Sequence, residues 1–437
     1  MGTAAWAEAW TGGRRAVHIG NVADFNAQFV PASDDSTRHG HHYSCLAAFY
    51  SPHPAVLVLP HQVEPEWVRR LERILDWSEV EVHSGLAGDG RLIGPALAAR
   101  PELRRRLDAL ALPVRHWGAT EGTGTGVAAV RRYEAKDASH ALFTRLAPGH
   151  PGIRVPAQLA VDSPRALAGV VDERARAGRT TVLKARHGVG GFGTAVLTPG
   201  RIAAAGGARN LLRRLADDQV LPSREGLLVE EYVEGGGRLR HPSFDGLITE
   251  DGTVHPVGVA LMRVEDTAYA GATVGPGSVP ARLAGAAVPF GVAVGRELAA
   301  AGHRGWYDVD FVTDPAGRLA PTETNVRLTG PAVAFMIQAR LDAVRGPGHL
   351  VRTIDRLPLG ARLGQQALLA HLEALARRCA RFGATLLPTI PTAGFEAQPT
   401  VGVALAATDP DALDAAEAVA RAANLALGDP FDPLTAR

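Results

Sequence analysis

Residues 55–59 (AVLVL) form an unbroken apolar run, and over 64–77 the apolar positions recur at helical spacing, so a strand followed by a helix is predicted there. Helical and extended pieces continue to residue 130, with the Gly- and Thr-rich 121–126 as a loop, and a first domain boundary falls near Glu134. From Lys136 the pattern predicts a helix over 137–146, a strand over 154–160 and a helix over 163–177, whose Ser163-Pro164 supplies a cap and an N1 proline. Strands over 180–185 and 194–198, a helix over 208–217 and a strand over 226–231 complete an α+β unit. Strands then dominate to 326, apart from a helix over 289–301. The last hundred residues read as helices at 338–353 and 364–382, strands at 384–388 and 400–406, and a final helix over 409–427.

Composition narrows the function classes. Of 437 residues, 46 are Lys or Arg and 45 are Asp or Glu, so the basic excess of a nucleic-acid binder is missing. Cys45 and Cys379 are too few and too far apart for a disulfide framework or a zinc spacing, which points to a reducing cytoplasm. No apolar stretch reads as a membrane span, so neither anchoring nor secretion is expected.

Chemistry concentrates in residues 305–330, GWYDVDFVTDPAGRLAPTETNVRLTG. Asp314-Pro315-Ala316-Gly317 has type I turn chemistry, which makes the flanking runs a hairpin. If Asp314 and Gly317 pair at its neck, Asp310 lies opposite Pro321, and Glu323 is diagonal to Asp310 on the same face, with Asn325 and Arg327 following. Two carboxylates and an amide oxygen on one surface suit Mg²⁺, a hard cation that favours oxygen ligands and commonly shares its shell with nucleotide phosphates. A single aspartate on a strand is usually just a solvated charge; the ordered set of Asp310 and then Glu323, Asn325 and Arg327 across a hairpin is not readily read that way.

Upstream, Lys184 ends the apolar strand of TTVLKARHGVGGFGT, where an ammonium needs a phosphate or carboxylate beside it. The loop behind it, with Gly188, Gly190, Gly191, Phe192 and Gly193, offers bare backbone N–H groups to phosphates, although an ordinary glycine hairpin is an equal reading of the loop alone. The same glycines satisfy G-x-G-x-x-G, but the extended continuation 195–200 lacks the helix that a dinucleotide site requires. Glu230, Glu231, Tyr232 and Val233 end a strand before Glu234 and three glycines, a placement suited to an adenine hinge or to an edge strand.

Taken in order, Lys136, Lys184 with its glycine loop, 230–233, Asp310 and Glu323-Thr-Asn325-Val-Arg327 with Thr329-Gly330 resemble the ATP-grasp superfamily over about 136–330. The resemblance implies an α/β chain with α+β subdomains: an N-terminal pre-ATP-grasp α/β domain (1–134), a lid and nucleotide-binding subdomain (135–234), a central sheet with the metal site (235–335) and a C-terminal α/β subdomain (336–437). It implies ATP and Mg²⁺ as cofactors, with Lys136, Lys184 and the loop glycines on phosphates, and Glu230, Glu231, Tyr232 and Val233 on adenine. Asp310, Glu323 and Asn325 would hold the metal. Arg327 would orient a carboxylate, and the Gly330 amide would help to stabilise an oxyanion. Arg238, Arg240 and Arg263 are further candidates to meet a carboxylate.

The flanks, in particular LLPTIPTAGF at 386–395 and TVGVAL at 400–405, look like the pheganomycin peptide ligase group. That likeness implies an enzyme of peptide antibiotic biosynthesis that joins a guanidino-type amino acid, through an acyl phosphate, to a peptide amine. Alternatives are a dipeptide or D-alanine-type ligase, an acyl-phosphate-forming kinase and a nucleotide-binding regulator. The expected partners are an amino-acid carboxylate and a peptide amine, without nucleic acid or membrane; a homodimer is left open.

Overall fold

A computed structural model describes residues 4–30, 33–88, 90–123, 126–188, 193–221 and 226–428. Among them the strands are β1 (Ala16–Ile19), β2 (Pro54–Val58), β3 (Glu81–His83), β4 (Val114–His116), β5 (Gln158–Val161), β6 (Thr181–Ala185), β7 (Thr194–Leu197), β8 (Leu227–Glu231), β9 (Pro242–Ile248), β10 (Val254–Glu265), β11 (Ala268–Val274), β12 (Gly305–Thr313), β13 (Leu319–Asn325), β14 (Leu350–Pro358), β15 (Thr385–Ile390) and β16 (Thr400–Ala407). The chain divides into two compact units, one of Met1–Gly124, Ala270–Ser278 and Arg327–Arg437, the other of Thr125–Tyr269 and Val279–Val326.

In the first unit β1 to β4 form a parallel sheet in the order β3-β2-β1-β4. Its strands are short, and apolar residues from β1 and β2 (Val17, Ile19, Val56, Val58) share a core with Ile93 and Leu107 of the neighbouring helices. The predicted helix after β2 spans Pro65–Leu75, with proline in its first turn, where the missing N–H costs nothing. The same unit holds the order β11-β14-β16-β15. Helices Gln365–Ala380 and Pro410–Ala426 contribute Leu368, Leu372, Leu413 and Ala416 to one core with Val403 and Leu405 of β16.

The second unit contains two antiparallel arrangements. The first, β5-β8-β6-β7, shares a core with helices Pro164–Arg176 and Ala208–Asp217. Ser163 caps the first of these helices by accepting from the Ala166 N–H at 3.4 Å. The second is the run β13-β12-β9-β10, packed on helix Ala281–Ala300. Along β12, Tyr307, Val309 and Phe311 are buried and alternate with Asp308 and Asp310, so the two sets face opposite sides of the sheet. Gly291 and Gly295, one helical turn apart, permit the close approach: a Cβ on Gly291 would fall 2.0 Å from Phe244, and one on Gly295 2.1 Å from the Tyr307 hydroxyl.

Three expectations need correction. The helix expected over 289–301 begins eight residues earlier and carries Pro289 inside it, because its small apolar residues continue the buried stripe through Leu283 and Ala287. At 20 residues and mean hydropathy 1.3 it is also long and apolar enough to cross a membrane, contrary to the expectation that no stretch would be; Phe290, Val294 and Leu298 are buried against the unit's own core. The helix expected over 338–353 is helix Gly330–Arg345 followed by strand β14. Nearly all of that helix is buried, so it lacks an amphipathic stripe, and the turn at Gly346 to Gly348 separates it from the β-branched start of β14.

Candidate active site

The site hairpin closes differently from its expected register. Asp314 makes the turn bond with Gly317, its carbonyl accepting from the Gly317 N–H at 2.9 Å, but its ladder partner is Arg318: the Asp314 N–H donates to the Arg318 carbonyl at 2.9 Å, leaving Pro315, Ala316 and Gly317 as a three-residue loop with Gly317 at φ +78°. Continued without interruption, that register would pair Asp310 with Thr322 and put Glu323 on the opposite face, beside Val309. A β-bulge at Thr322 intervenes, so Phe311 pairs with Pro321 but Asp310 pairs with Glu323. The expected Asp310–Pro321 pairing is thus wrong by a turn residue and a bulge, and these offset each other. Asp310 and Glu323 share one face as directly opposed residues, not diagonal ones.

Strand β9 lies on the other side of β12, with Ser243 opposite Asp310 and Asp245 opposite Asp308. Two rows therefore cross three strands: Ser243, Asp310, Glu323, and behind them Asp245, Asp308, Asn325. Asp310 and Glu323 are half-buried, whereas the whole second row is buried. Asn325 Nδ2 donates to Asp308 Oδ1 at 2.8 Å and to Asp310 Oδ2 at 3.2 Å, which turns the amide oxygen away from both carboxylates. Trp306 Nε1 donates to Asp245 Oδ1 at 2.9 Å. The Ser243 hydroxyl is fully buried, with no hydrogen-bond partner among the described residues.

Both lysines singled out in the sequence reach this hairpin. Lys136, the first residue of helix Lys136–Leu146, places its ammonium on the Glu323 carboxylate. Lys184, on β6, pairs with Glu230 on the neighbouring β8 at 2.7 Å and donates to the carbonyl of the bulge residue Thr322 at 3.1 Å. The Lys184–Glu230 pair is buried on both sides, the carboxylate partner that an ammonium at the end of an apolar strand requires. Glu230 also accepts from Gln158 Nε2 at 2.8 Å. The neighbouring Glu231 is taken by Arg154. Of the glycine loop, Gly190, Gly191 and Phe192 lie outside the described residues. Gly188 is half-buried, and Gly193 closes the hairpin at φ +78°, its carbonyl accepting from the Ala185 N–H at 2.6 Å.

The arginine candidates separate. Arg240 lies 5.6 Å from the Tyr232 ring and donates to the carbonyls of Val233, Glu234 and Thr313, so it fastens the segment after β8. Arg238 is exposed and Arg263 is half-buried on β10. Arg327, two residues beyond Asn325, belongs to the first unit, where its guanidinium is buried over Phe25 (5.7 Å) and Trp117 (5.5 Å). Gly330 opens helix Gly330–Arg345, so its N–H is among those at the helix start that have no intrahelical acceptor. A groove of about 660 Å³ in the first unit, lined by Arg69, Arg70, Arg73, Glu373 and Arg377, contains none of the residues above.

Sequence reasoning missed Asp308, Asp245, Ser243 and Glu134. Asp308 was legible, since it stands two residues before Asp310 in an alternating strand. Asp245 and Ser243 required knowledge of which strand pairs with β12. Glu134, buried, accepts from the Val326 N–H at 2.6 Å and so anchors the end of the site strand.

The donor set fits Mg²⁺ only as a shared site. No group of three or more His, Cys, Asp or Glu side chains is arranged to hold a metal among the described residues. Asp310 and Glu323, with the Asn325 oxygen, supply the one or two carboxylates and neutral oxygen that Mg²⁺ takes from protein when phosphates and water complete its shell.

No protein-family model matches the sequence, and no curated protein matches it. Solved structures do match in fold. A biotin carboxylase from Campylobacter jejuni, solved as a complex with beta-gamma-ATP, superposes with TM-score 0.52 at 12% identity, covering 97% of each chain. A carboxyaminoimidazole ribonucleotide synthase from Aspergillus clavatus, complexed with ATP, gives TM-score 0.51 at 15% identity, covering 93% of this chain and 98% of that one. The chain has the ATP-grasp fold.

Proposed function

We propose that the protein is an ATP-dependent carboxylate–amine ligase that activates a carboxylate as an acyl phosphate. The observation that carries this reading is the bulged hairpin, which sets Asp310 directly against Glu323 with Asn325 beside them and Lys136 and Lys184 reaching the same strand. The nucleotide recorded with both neighbours of the fold supports ATP as the phosphoryl donor.

In this reading a carboxylate oxygen attacks the γ-phosphorus of ATP, the bond to the β,γ-bridging oxygen breaks, and ADP leaves. The amine then attacks the acyl carbon and inorganic phosphate departs with the carboxylate oxygen it received. Asp310, Glu323 and Asn325 would hold Mg²⁺, which would supply charge neutralisation on the phosphates. Lys136 and Lys184 add fixed positive charge, and the strand end at 230–233 receives the adenine. The proposal gives Arg327 the role of orienting the carboxylate and the Gly330 N–H that of stabilising an oxyanion; preorganised contacts of this kind are typically worth about 3–4 kcal/mol each. Positioning and electrostatics carry the chemistry, with no covalent enzyme nucleophile.

The acceptor in this proposal is a peptide amine and the donor an amino acid of the guanidino type, supported by the likeness of 386–395 and 400–405 to pheganomycin-type ligases. The test is a screen of carboxylic acids and peptides for ADP formation that requires both substrates, with mass spectrometry of the product. Glu323→Gln should reduce turnover at least about a hundredfold while leaving the fold intact. ADP release at the normal rate in that variant would remove the hairpin from the mechanism.

A further inference from the structure

The two rows on β9, β12 and β13 differ in burial, and the difference is informative. Asp310 and Glu323 are half-buried, whereas Asp308, directly behind Asp310 on the same face, is 1% exposed. Burying a carboxylate is costly, and an aliphatic side chain would fill a sheet face at less cost. What Asp308 does there is specific. Its Oδ1 accepts both donors of one residue, the Asn325 backbone N–H at 3.2 Å and the Asn325 Nδ2 at 2.8 Å. A side-chain amide can rotate by half a turn at little steric cost, exchanging its oxygen for its NH₂. A carboxylate permits only one of the two orientations, because the other sets oxygen against oxygen. Asp245, opposite Asp308 on β9, accepts instead from the Trp306 indole, so the two carboxylates of the buried row hold different donors.

We propose that Asp308 is a positioning residue for the divalent cation: it fixes the Asn325 amide with its oxygen outward and, by accepting from the NH₂, makes that oxygen a stronger ligand. The inference rests on the ligase reading and deepens it by assigning the buried row to the orientation of a metal ligand. Outer groups of this kind typically change metal affinity about 10–100-fold when replaced. In Asp308→Asn the new amide donates as well as accepts, so the shorter of the two contacts that select the Asn325 orientation no longer does so, and only the 3.2 Å contact to Asp310 Oδ2 still favours it, at unchanged side-chain volume.

The experiment titrates Mn²⁺ into the protein with ADP present and follows free Mn²⁺ by electron paramagnetic resonance, in wild type and in D308N. ADP affinity without metal and cooperative thermal unfolding are measured alongside. The expected result is a Mn²⁺ dissociation constant raised about 10–100-fold in D308N, with metal-free ADP affinity unchanged. A merely structural role would lower the unfolding temperature and leave Mn²⁺ affinity alone, and that result overturns the proposal. Wild type that binds no Mn²⁺ with ADP ends the ligase reading as well, whereas wild type that binds and D308N that matches it ends this inference only. If D308N does not fold, the exchange variant D308N/N325D carries the test. It keeps one amide and one carboxylate in the pair and should bind Mn²⁺ within about tenfold of wild type; a larger loss overturns the proposal.

Discussion

The site hairpin and a set of buried groups in the first unit treat ionisable side chains in opposite ways. On the hairpin side of the second unit, ionisable groups are given polar partners: Lys184 with Glu230, Lys136 with Glu323, Asp308 with the Asn325 donors. In the first unit, burial pushes four groups toward their neutral forms, although the same unit also holds the buried Arg352–Glu417 pair at 2.8 Å. The pKa of His18 falls to about 3 and that of His61 to about 4, the Cys45 thiol rises to about 12, and Asp355 rises to about 6. In each case loss of hydration is the main cause; for Asp355, the Tyr43 hydroxyl at 2.5 Å opposes it. A buried charge set against an opposite charge at hydrogen-bond distance is kept, whereas a buried group without one is driven toward its neutral form.

The largest effect that would sharpen this contrast comes from breaking a pair in the second unit. Lys184→Met leaves the Glu230 carboxylate buried without its cation and should destabilise that unit by about 3–5 kcal/mol. The double variant K184M/E230Q should recover most of the loss. Denaturant unfolding of both variants checks this, and a single variant as stable as wild type would show that the pair is not needed for folding.

Next comes Asp355. Its folded pKa of about 6 lies above the ordinary 3.8, so its neutral form is the favoured buried state. Stability attributable to it is complete below pH 3.8 and is lost as pH rises through 6. Asp355→Asn should therefore match wild type at about pH 3 to 4 and exceed it by about 3 kcal/mol at pH 8. A difference that does not change with pH would contradict the assignment. The smallest effect is that of Tyr43→Phe, which removes the hydroxyl donated to Asp355 and should cost about 1 kcal/mol at pH 7. An unchanged stability would show the hydroxyl to be idle.

How far the sequence carried the account depends on which physical signal each element leaves. Ser163-Pro164 announces a helix start locally, and Asp314 to Gly317 announces a turn, so both were legible. The hairpin register was not, because the third loop residue and the bulge at Thr322 leave no separate trace in hydrophobic patterning. Their effects cancel in the face they assign to Glu323, which is why the sequence placed Asp310 and Glu323 on one side with the wrong partner. Helix Gly330–Arg345 was misplaced because burial on nearly all sides erases the amphipathic period. Asp245 and Ser243 reach the site through pairing of β9 with β12, a contact between segments more than fifty residues apart that composition alone cannot indicate.

The most direct test of the hairpin as a magnesium–nucleotide site is calorimetric titration of ATP into wild type and into Glu323→Gln, each with and without Mg²⁺. The account predicts that Mg²⁺ strengthens ATP binding to wild type and that this gain falls at least about tenfold in the variant. Equal gains in the two proteins would contradict it.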